Sequence, residues 1–505
     1  MNADVHRSPS YADLILSALD RRPERTAFRW REGDEPHSLT YSETAAQIRG
    51  IATALTALHL PETGAVALLT GPRPEAFTIM AAACHAGIRF TALHPLATAH
   101  DDDYLLRDSG AAVLIVDDHA FAERAAAAST HVRVMTISEL LALADQASGA
   151  ETRRGSACYV FYTGGTTGEP KGVILPDRSL VANAHASLSW DWPRDTQFLL
   201  TTPMSHAAGL LVAPGLLRGA TFHIHAAFNP ESVLRAIEHD GVNTTFVVPT
   251  MLYALLDHPH LPDADLSGLR WILYGAAPTT PSRLIEARSR FGNVLTQHYG
   301  QAEAPNALTM LDRDEHATDD HDRLASCGRP MPGVHVALLD GSGAEVQPGA
   351  PGELCVRGPL VMDGYWNKPE QTADALRGGW LHTGDVAVRA EDGLITIVDR
   401  LKDLIITGGF NVYSREVETV LATHPAVASC AVYGVPDERW GEIVVAAVVL
   451  RDGCDASPEE LMEHVRVVKG AVWAPKRVQL RSSLPLTSIG KFDKRALREA
   501  ASNGS

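Results

Sequence analysis

The sequence predicts an α/β fold with layered sheets over its first part, on the pattern of its apolar residues. Ala65–Thr70 and Ala112–Val116 are short continuous apolar runs, which are typical of buried parallel strands. Between them, Glu75–His85 carries apolar residues at helical spacing. Thr245–Val248 and Trp271–Tyr274 repeat the strand pattern. Strands that alternate with helices in this way indicate sheets covered by helices.

The pattern of the chain changes twice after about residue 330. From about residue 331, glycine and proline become frequent and strands are short, as at Glu353–Arg357, which predicts a β-rich subdomain. After Arg400 the pattern predicts a small α+β domain. Its predicted elements are helices at Arg415–Thr423 and Pro458–Val468 and strands at Ala428–Tyr433 and Val444–Leu450.

We therefore expect two domains. The N-terminal domain covers residues 1–400 and contains the β-rich subdomain at about 331–400, and the C-terminal domain covers residues 401–505. Length supports this division, because 505 residues exceed what one hydrophobic core usually supports. The predicted hinge is Asp399–Lys402, a polar stretch between two apolar strands.

Acidic residues outnumber basic residues in this chain. There are 61 Asp and Glu residues against 44 Lys and Arg residues, which gives a net charge of −17. Such a surface repels nucleic acid and anionic membranes, so we expect neither as a partner. A site for an anionic substrate must then supply its own local positive charge.

Cysteine usage and the lengths of apolar runs predict a cytoplasmic location. The six cysteines are scattered, with no two at the spacing of a metal site, and disulfide frameworks belong to shorter, denser chains. The N-terminal segment lacks a basic stretch followed by a long apolar one, so it predicts no signal peptide. The longest apolar runs, such as Ile443–Leu450, are too short to span a bilayer.

A loop rich in glycine and threonine is the most informative segment. Residues 162–173 read YTGGTTGEPKGV and lie between the apolar runs Ala157–Phe161 and Val173–Leu175. Glycines let the backbone turn its N–H groups inward, while hydroxyls and a lysine add donors and charge, so the loop predicts an anion cradle. It is not a Walker A motif, and a plain hairpin turn is the alternative. The candidate residues are Thr163, Gly164, Gly165, Thr166, Thr167, Gly168 and Lys171.

This loop resembles the phosphate loop of the AMP-forming adenylating superfamily, which includes acyl-CoA synthetases, adenylation domains of peptide synthetases and beetle luciferases. Further segments resemble motifs of the same superfamily, in the same order, and the chain looks most similar to acyl- or aryl-CoA ligases. The resemblance implies a large N-terminal domain, a small mobile C-terminal domain, and the use of ATP, Mg²⁺ and CoA or a pantetheine thiol. The segments are Trp271–Pro278, His298–Glu303, Gly379–Asp385, Asp399–Asp403, Gly408–Glu418 and Pro485–Lys494.

The resemblance implies nucleotide-binding roles for individual residues. Asp385 and Arg400 would bind the ribose, and Mg²⁺ would bind Glu303 and Thr166. Tyr299 would stack on adenine. The implied ATP-binding residues between the phosphate loop and the ribose site are Gly275, Ala276, Ala277, Tyr299, Gly300, Gln301 and Ala302.

The resemblance also implies a reaction in two steps. A carboxylate attacks the α-phosphorus of ATP to give an acyl-adenylate and pyrophosphate, and catalysis is mainly positioning and charge neutralisation. Lys491 would bridge the carboxylate and the phosphate. The C-terminal domain would then turn about Lys402, and Gly408 and Gly409 would open a channel for the thiol that takes the acyl group.

Two motif positions depart from the superfamily pattern. Gly164 stands where serine is common, and Ala302 stands where threonine is usual. The threonine hydroxyl would donate to the α-phosphate, and its loss costs on the order of 1–3 kcal/mol if nothing replaces it. Gln301 or a backbone N–H could replace it.

The resemblance also places a pocket for the acid. His206 occupies the position of a gating aromatic residue or histidine, and with Lys491 and Glu303 it completes the candidate catalytic residues. Residues 207–209 are small and leave room for a flat ring or a medium chain, so we expect an aryl or aryl-acrylic acid rather than a long fatty acid. No acidic residue stands out to bind an α-amino group. The pocket segments are His206–Leu210, Val247–Met251, Gly275–Ala277 and Gln297–Ala304.

Three functions stay open from sequence. The first is an acid–CoA ligase, or one that loads a carrier-protein thiol. The second is an enzyme of the same fold that uses nitrite to diazotise an aryl amine, or that couples the adenylate to an amine, and Ala302 weakly favours it. The third is a nucleotide-binding protein without catalysis, and the intact Lys171, Glu303, Asp385 and Lys491 argue against it.

Overall fold

The computed structural model describes residues 9–61, 64–117, 120–128, 131–146, 158–163, 170–451, 453–485 and 492–502. Contacts divide the chain into two units. The first unit consists mainly of Met1–Thr163, Lys171–Val336 and Val356–Leu381, and the second mainly of Ala337–Cys355 and His382–Ser505.

Strands and helices alternate through most of the first unit, as the apolar pattern predicts. The strands are β1 (Thr26–Glu32), β2 (Glu35–Thr40), β3 (Ala65–Leu69), β4 (Arg89–Ala92), β5 (Ala111–Val116), β6 (Arg133–Thr136), β7 (Cys158–Thr163), β8 (Lys171–Pro176), β9 (Gln197–Leu200), β10 (Thr221–Ile224), β11 (Thr244–Val247), β12 (Trp271–Gly275), β13 (Leu295–Gln301), β14 (Ala304–Leu311), β15 (Arg329–Pro330), β16 (His335–Leu339), β17 (Pro351–Arg357), β18 (Gly364–Tyr365), β19 (Leu381–Arg389), β20 (Ile395–Arg400), β21 (Ile405–Thr407), β22 (Phe410–Val412), β23 (Val427–Asp437), β24 (Gly441–Leu450) and β25 (Arg477–Leu480).

The helices complete the order of elements. They are α1 (Tyr11–Asp20), α2 (Tyr41–Ala57), α3 (Pro74–Ala86), α4 (Ala99–Asp108), α5 (Ala122–Ala128), α6 (Ile137–Gln146), α7 (Asp177–Leu188), α8 (Ala207–Leu210), α9 (Val212–Arg218), α10 (Pro230–His239), α11 (Pro249–Leu256), α12 (Pro281–Phe291), α13 (His321–Ala325), α14 (Pro369–Ala375), α15 (Ser414–Ala422), α16 (Pro458–Lys469) and α17 (Lys494–Ser502). Within the described ranges, none of these helices combines the length and the hydropathy that crossing a bilayer requires.

Two sheets build the first unit. One has nine strands in the order β15-β14-β13-β12-β11-β9-β10-β1-β2, and the other has seven in the order β18-β8-β7-β4-β3-β5-β6. Inner pairs such as β11–β12 and β3–β4 are parallel, whereas β1–β2 and β7–β8 are antiparallel. Every residue of β3 is buried, as expected of a parallel sheet with both faces covered. The predicted layered α/β fold is confirmed.

Antiparallel pairs dominate the second unit. Strands β16, β17, β19 and β20 follow one another in one sheet, and a second sheet has the order β22-β21-β24-β23 with β25 beside β24. Residues along β23 and β24 alternate between two cores. Val432 and Ala446 pack with Leu461 of α16, whereas Tyr433 packs with Leu497 of α17. Because side chains alternate with a period of two, helices can cover both faces, and the predicted α+β fold is confirmed.

Strand β23 runs four residues beyond the predicted Ala428–Tyr433. It continues through Gly434 and Pro436, which pair with Val444 and Glu442 of β24. Glycine and proline usually end a strand, but proline is tolerated where one side of the strand needs no hydrogen-bond donor. β23 is the last strand in its sheet order, so Pro436 occupies such an edge.

Candidate active site

Strands β7 and β8 frame the predicted phosphate loop. They pair antiparallel, with Thr163 opposite Lys171 where the chain leaves and rejoins the sheet. The two predicted flanking strands are therefore present, and they extend into the predicted loop, since Tyr162 and Thr163 end β7 and Lys171 and Gly172 begin β8. The loop's candidate phosphate contacts stay a prediction, because five of the seven residues lie outside the described ranges, namely Gly164, Gly165, Thr166, Thr167 and Gly168.

Glu303, Tyr365 and Lys171 form a chain of contacts at the start of β8. The Tyr365 hydroxyl donates a hydrogen bond to Oε1 of Glu303 at 2.7 Å, and Nζ of Lys171 lies 4.9 Å from the centre of the Tyr365 ring. The backbone N–H of Met362 donates to the Glu303 carbonyl at 2.8 Å. Burial and the Glu303 carboxylate raise the pKa of Tyr365 far above its usual value, so the hydroxyl keeps the proton that it donates.

The Glu303 carboxylate fits a Mg²⁺ ion. Its Oε1 accepts the hydrogen bond from Tyr365, and its Oε2 accepts none from any residue in the described ranges. Mg²⁺ in phosphate-handling sites is usually held by one or two carboxylates together with the substrate phosphates. Glu303 would hold the ion through Oε2, where the ion would neutralise phosphate charge. Thr166, the other predicted ligand, lies outside the described ranges.

The predicted adenine-binding segments lie side by side at one sheet edge. Parallel pairing of β12 with β13 sets Gly275 opposite His298, and a Cβ on Gly275 would lie only 2.4 Å from the His298 carbonyl oxygen. Ala276 then adopts a left-handed φ of 67°. The carboxyl ends of parallel strands are where open α/β sheets bind ligands. The predicted residues follow from these two paired positions along the chain: Gly275, Ala276 and Ala277 at and just after the end of β12, and Tyr299, Gly300, Gln301 and Ala302 after His298.

The segments of the predicted acid pocket are joined at the same edge. Val247 ends β11 opposite Tyr274, the residue before Gly275 in β12. Nδ2 of Asn306 donates a hydrogen bond to the Ala207 carbonyl at 3.1 Å, which ties the short helix α8 to β14. The sheet edge therefore carries both the predicted adenine segments and the predicted acid segments.

His206 lies in a cluster of aromatic rings just before α8. Its ring centre is 4.8 Å from that of His94 and 5.1 Å from that of Phe161. Its Nδ1 lies 2.9 Å from the Ser205 hydroxyl. We call His94, Phe161 and His206 the ring cluster. Phe161 is in β7, so the ring cluster connects the predicted acid pocket to the strand that leads into the predicted phosphate loop.

In the second unit, Asp385 and Arg400 form an ion pair across two strands. They stand opposite each other in β19 and β20, with Nε of Arg400 3.0 Å from Oδ1 of Asp385. The Asp385 side chain is 4% exposed and the Arg400 side chain 47%. The structure thus brings the two predicted ribose-binding residues together, and their contact with a ribose stays a prediction.

The predicted hinge, Asp399–Lys402, begins in β20, which ends at Arg400, and continues into a single 3₁₀ turn, Leu401–Asp403, before β21. Burial, together with the nearby Arg400, lowers the pKa of Lys402. Asp399 is buried and accepts hydrogen bonds from the backbone N–H and, at 3.2 Å, the hydroxyl of Ser414. The chain on either side of Lys402 is therefore anchored, and the pivot role of Lys402 stays a prediction.

Gly408 and Gly409 form the tip of the hairpin between β21 and β22. Their φ values of 56° and 82° are those of two-residue hairpin turns, which favour glycine. A Cβ on Gly408 would lie 2.8 Å from the Trp440 ring. The thiol-channel role of this tip stays a prediction.

Lys491 lies outside the described ranges, but the residues around it are described. The Asp493 backbone N–H donates to the Pro485 carbonyl at 2.8 Å, so the two ends of the segment that carries Lys491 are held together. Helix α17 follows, and Lys494 forms an ion pair with Glu418 at 2.8 Å.

Comparison with known families matches both parts of the chain. The model of the AMP-binding enzyme family matches residues 16–366, and the model of the AMP-binding enzyme C-terminal domain matches residues 416–491. The chain belongs to the AMP-binding enzyme family. The superfamily predicted from the motifs is thereby confirmed.

Relatives of this AMP-binding enzyme match it along nearly its whole length. A medium/long-chain-fatty-acid–CoA ligase of Mycobacterium tuberculosis is 42% identical, over 98% of this chain and 91% of the relative. A feruloyl-CoA synthase of an Amycolatopsis species is 40% identical, over 91% of this chain and 94% of the relative. The solved structure of the amide bond synthetase McbA of Marinactinospora thermotolerans is 36% identical, with a TM-score of 0.87, over 97% of this chain and 99% of that one.

Sequence reasoning missed two residues of the AMP-binding enzyme that contact predicted site residues. Tyr365 is 62 positions from its partner Glu303, and no motif or spacing marks it. His298 stands in a recognised motif, but the pattern gives no sign that it is buried. Only tertiary contacts identify either residue.

His298 stands opposite Gly275 of the predicted adenine segment. It is buried, and its Nδ1 donates a hydrogen bond to the Asn306 carbonyl at 2.9 Å. Its Nε2 has no hydrogen-bond partner among the described residues. Burial lowers the pKa of His298 to about 4, against a smaller opposite effect of the Asn306 hydrogen bond. The ring is therefore neutral at neutral pH.

This buried ring should make the stability of the first unit depend on pH. An exposed histidine has a pKa of about 6.5, so between that value and about 4 the unfolded chain binds more protons than the folded one. The free energy of unfolding should therefore be independent of this histidine's titration above about pH 6.5 and should decrease as the pH drops below that value. His298 alone should account for a loss of about 2 kcal/mol at about pH 5, measured by urea unfolding with circular dichroism.

Two variants isolate the share of His298. In His298→Gln the loss of unfolding free energy at about pH 5 should be smaller by about 2 kcal/mol. In His335→Gln, a change at an exposed position, the loss should be the same as in the wild type. Burial also lowers the pKa of His223 and His316 to about 4, and they contribute equally in all three proteins. An equal loss of stability in the wild type and His298→Gln would refute the assignment.

Proposed function

We propose that this AMP-binding enzyme, an AMP-forming acid–thiol ligase, activates an aryl or aryl-acrylic acid, or a medium-chain acid less well, and transfers it to CoA or a carrier-protein thiol. The ring cluster of His94, Phe161 and His206 carries the proposal, because it gathers flat rings immediately before the short helix α8, whose residues 207–209 are small. Flat aromatic acids pack edge-to-face on such rings. The similarity to a feruloyl-CoA synthase supports an aryl-acrylic substrate.

In the first step, the first unit positions ATP and neutralises its charge. Residues 275–277 and Tyr299 hold adenine, and Lys171 and Thr163 hold the β- and γ-phosphates with the loop between them. Glu303, oriented by Tyr365, would hold Mg²⁺, which would supply positive charge to offset that of the phosphates. Lys491 bridges the acid carboxylate and the α-phosphate, and the carboxylate oxygen displaces pyrophosphate.

In the second step, residues of the second unit hold the acyl-adenylate and leave room for the thiol. Asp385 keeps the ribose of the acyl-adenylate in place, with Arg400 as its ionic partner. Rotation about Lys402 removes Lys491 and brings in Gly408 and Gly409, whose missing side chains leave room for pantetheine. The thiolate attacks the acyl carbonyl, and AMP leaves with the bond electrons.

The test is a panel of acids with purified full-length protein, ATP and Mg²⁺. Ferulic, cinnamic and benzoic acids are compared with octanoic, dodecanoic and palmitic acids, and AMP and the CoA thioester are measured together by chromatography. We expect kcat/KM for an aryl-acrylic acid to exceed that for the fatty acids by at least about tenfold. Preference for a fatty acid would refute the substrate class, and release of ADP in place of AMP would refute the whole reaction.

Transfer to an amine is the second candidate. The similarity to an amide bond synthetase structure and the alanine at position 302 favour it, because a changed α-phosphate contact points to altered handling of the adenylate. The same panel with an aryl amine in place of CoA tests it, and a further arm with nitrite tests diazotisation. Amide formed faster than thioester would make the amine the acceptor.

A further inference from the structure

Three potential metal ligands converge in the second unit. None of them has a role above, although His382 lies within the Gly379–Asp385 motif, three residues before Asp385. Glu353 and Cys355 are two positions apart in β17, so their side chains point to the same face. His382 is in β19, the neighbouring strand in the sheet order. The Glu353 and His382 side chains are 11% and 10% exposed, and Cys355 is fully buried.

The three groups meet around one ring nitrogen. Nδ1 of His382 lies 2.6 Å from Oε2 of Glu353 and 3.4 Å from Sγ of Cys355. One ligand atom from each residue lies within 4.8 Å of the other two. In a tetrahedral zinc site, with bonds of about 2.0–2.3 Å, ligand atoms lie roughly 3.3–3.6 Å apart. Small side-chain shifts therefore suffice to place an ion among them.

We propose that Glu353, Cys355 and His382 form a binding site for one Zn²⁺ ion. The ligands are a carboxylate, a thiolate and a neutral imidazole bound through Nδ1, which is a set that zinc accepts, with water in the fourth position. Mg²⁺ is excluded, because it prefers six oxygen ligands and takes no thiolate. The site is thus chemically distinct from the Mg²⁺ position proposed at Glu303.

Contacts around the ligands hold them in place without an ion. The Gly384 backbone N–H donates to Oε1 of Glu353 at 3.1 Å, which leaves Oε2 directed at His382. The Thr383 hydroxyl donates to the Leu354 carbonyl at 2.6 Å, so the residues next to the ligands in β17 and β19 are tied together. Such outer contacts orient ligands and raise affinity for a metal.

Zinc binding is tested on the full-length protein after treatment with a chelator. Isothermal titration with Zn²⁺ in excess Mg²⁺ should show one tight site per chain. Titration with Co²⁺ should produce a thiolate-to-cobalt charge-transfer band in the near ultraviolet. Cys355→Ser should weaken Zn²⁺ binding at least about 100-fold and abolish the band.

The control is Cys454→Ser, which removes an exposed thiol and should leave both the affinity and the band unchanged. His382→Gln and Glu353→Gln carry the same test where circular dichroism shows that Cys355→Ser does not fold. Absence of a stoichiometric site, or equal binding by the wild type and the folded ligand variants, would overturn the proposal.

Discussion

Lys491→Ala should lower the rate of acyl-adenylate formation by about 10²–10³-fold and leave thioester formation from supplied acyl-adenylate unchanged. The ammonium group would stabilise charge only while the carboxylate attacks the α-phosphorus, and the domain rotation would remove it before the thiol reacts. Pyrophosphate exchange measures the first half-reaction. Release of CoA thioester from synthetic acyl-adenylate measures the second.

A matched control removes a lysine charge elsewhere in the second unit. Lys469 forms a surface ion pair with Glu416 at 3.0 Å, and Lys469→Ala should leave both half-reactions as they are in the wild type. If Lys491→Ala slowed both half-reactions equally, one lysine would serve both steps and the rotation would have to be abandoned.

Glu303→Gln should lower kcat for adenylate formation by about 10²-fold and raise the Mg²⁺ concentration needed for half-maximal rate. Glutamine keeps the shape of the side chain and can still accept the Tyr365 hydrogen bond, so the variant removes the charge that would bind the ion. The measurement is the initial rate of pyrophosphate release as a function of the Mg²⁺ concentration.

Tyr365→Phe separates orientation from charge at the same site. It removes the 2.7 Å hydrogen bond to Glu303 but leaves the carboxylate in place. We expect a smaller loss of about tenfold with an unchanged Mg²⁺ requirement. An unchanged Mg²⁺ requirement in Glu303→Gln would place the ion on another group.

Strand positions in the first unit could be predicted closely, because burial on both faces requires a continuous run of apolar residues, which is visible in the sequence. The predicted Trp271–Tyr274 and Ala112–Val116 differ from the strands Trp271–Gly275 and Ala111–Val116 by one residue each. Here the local pattern and the tertiary structure agree, since each side chain in such a strand must be apolar.

Strand ends were predicted less accurately where pairing with a neighbouring strand outweighs the local preference of the residues. β23 passes through Gly434 and Pro436 because β24 pairs with it along its whole length. The same holds for the candidate site. Its motifs were recognisable as local strings, but Tyr365 touches Glu303 across 62 positions, and the convergence of His382 on Cys355 joins two strands. Contacts of this kind leave no spacing that a single sequence reveals.

Three tryptophans, Trp190, Trp192 and Trp271, pack together beside the predicted adenine segment. Trp192 lies 5.0 Å from Trp271, the first residue of the strand that ends at Gly275, and Trp190 lies 5.7 Å from the His298 ring. All three indoles are buried, so their emission depends on the surrounding protein rather than on solvent. We expect nucleotide binding beside this cluster to change its emission, although five of the eight tryptophans of the chain lie elsewhere and contribute background.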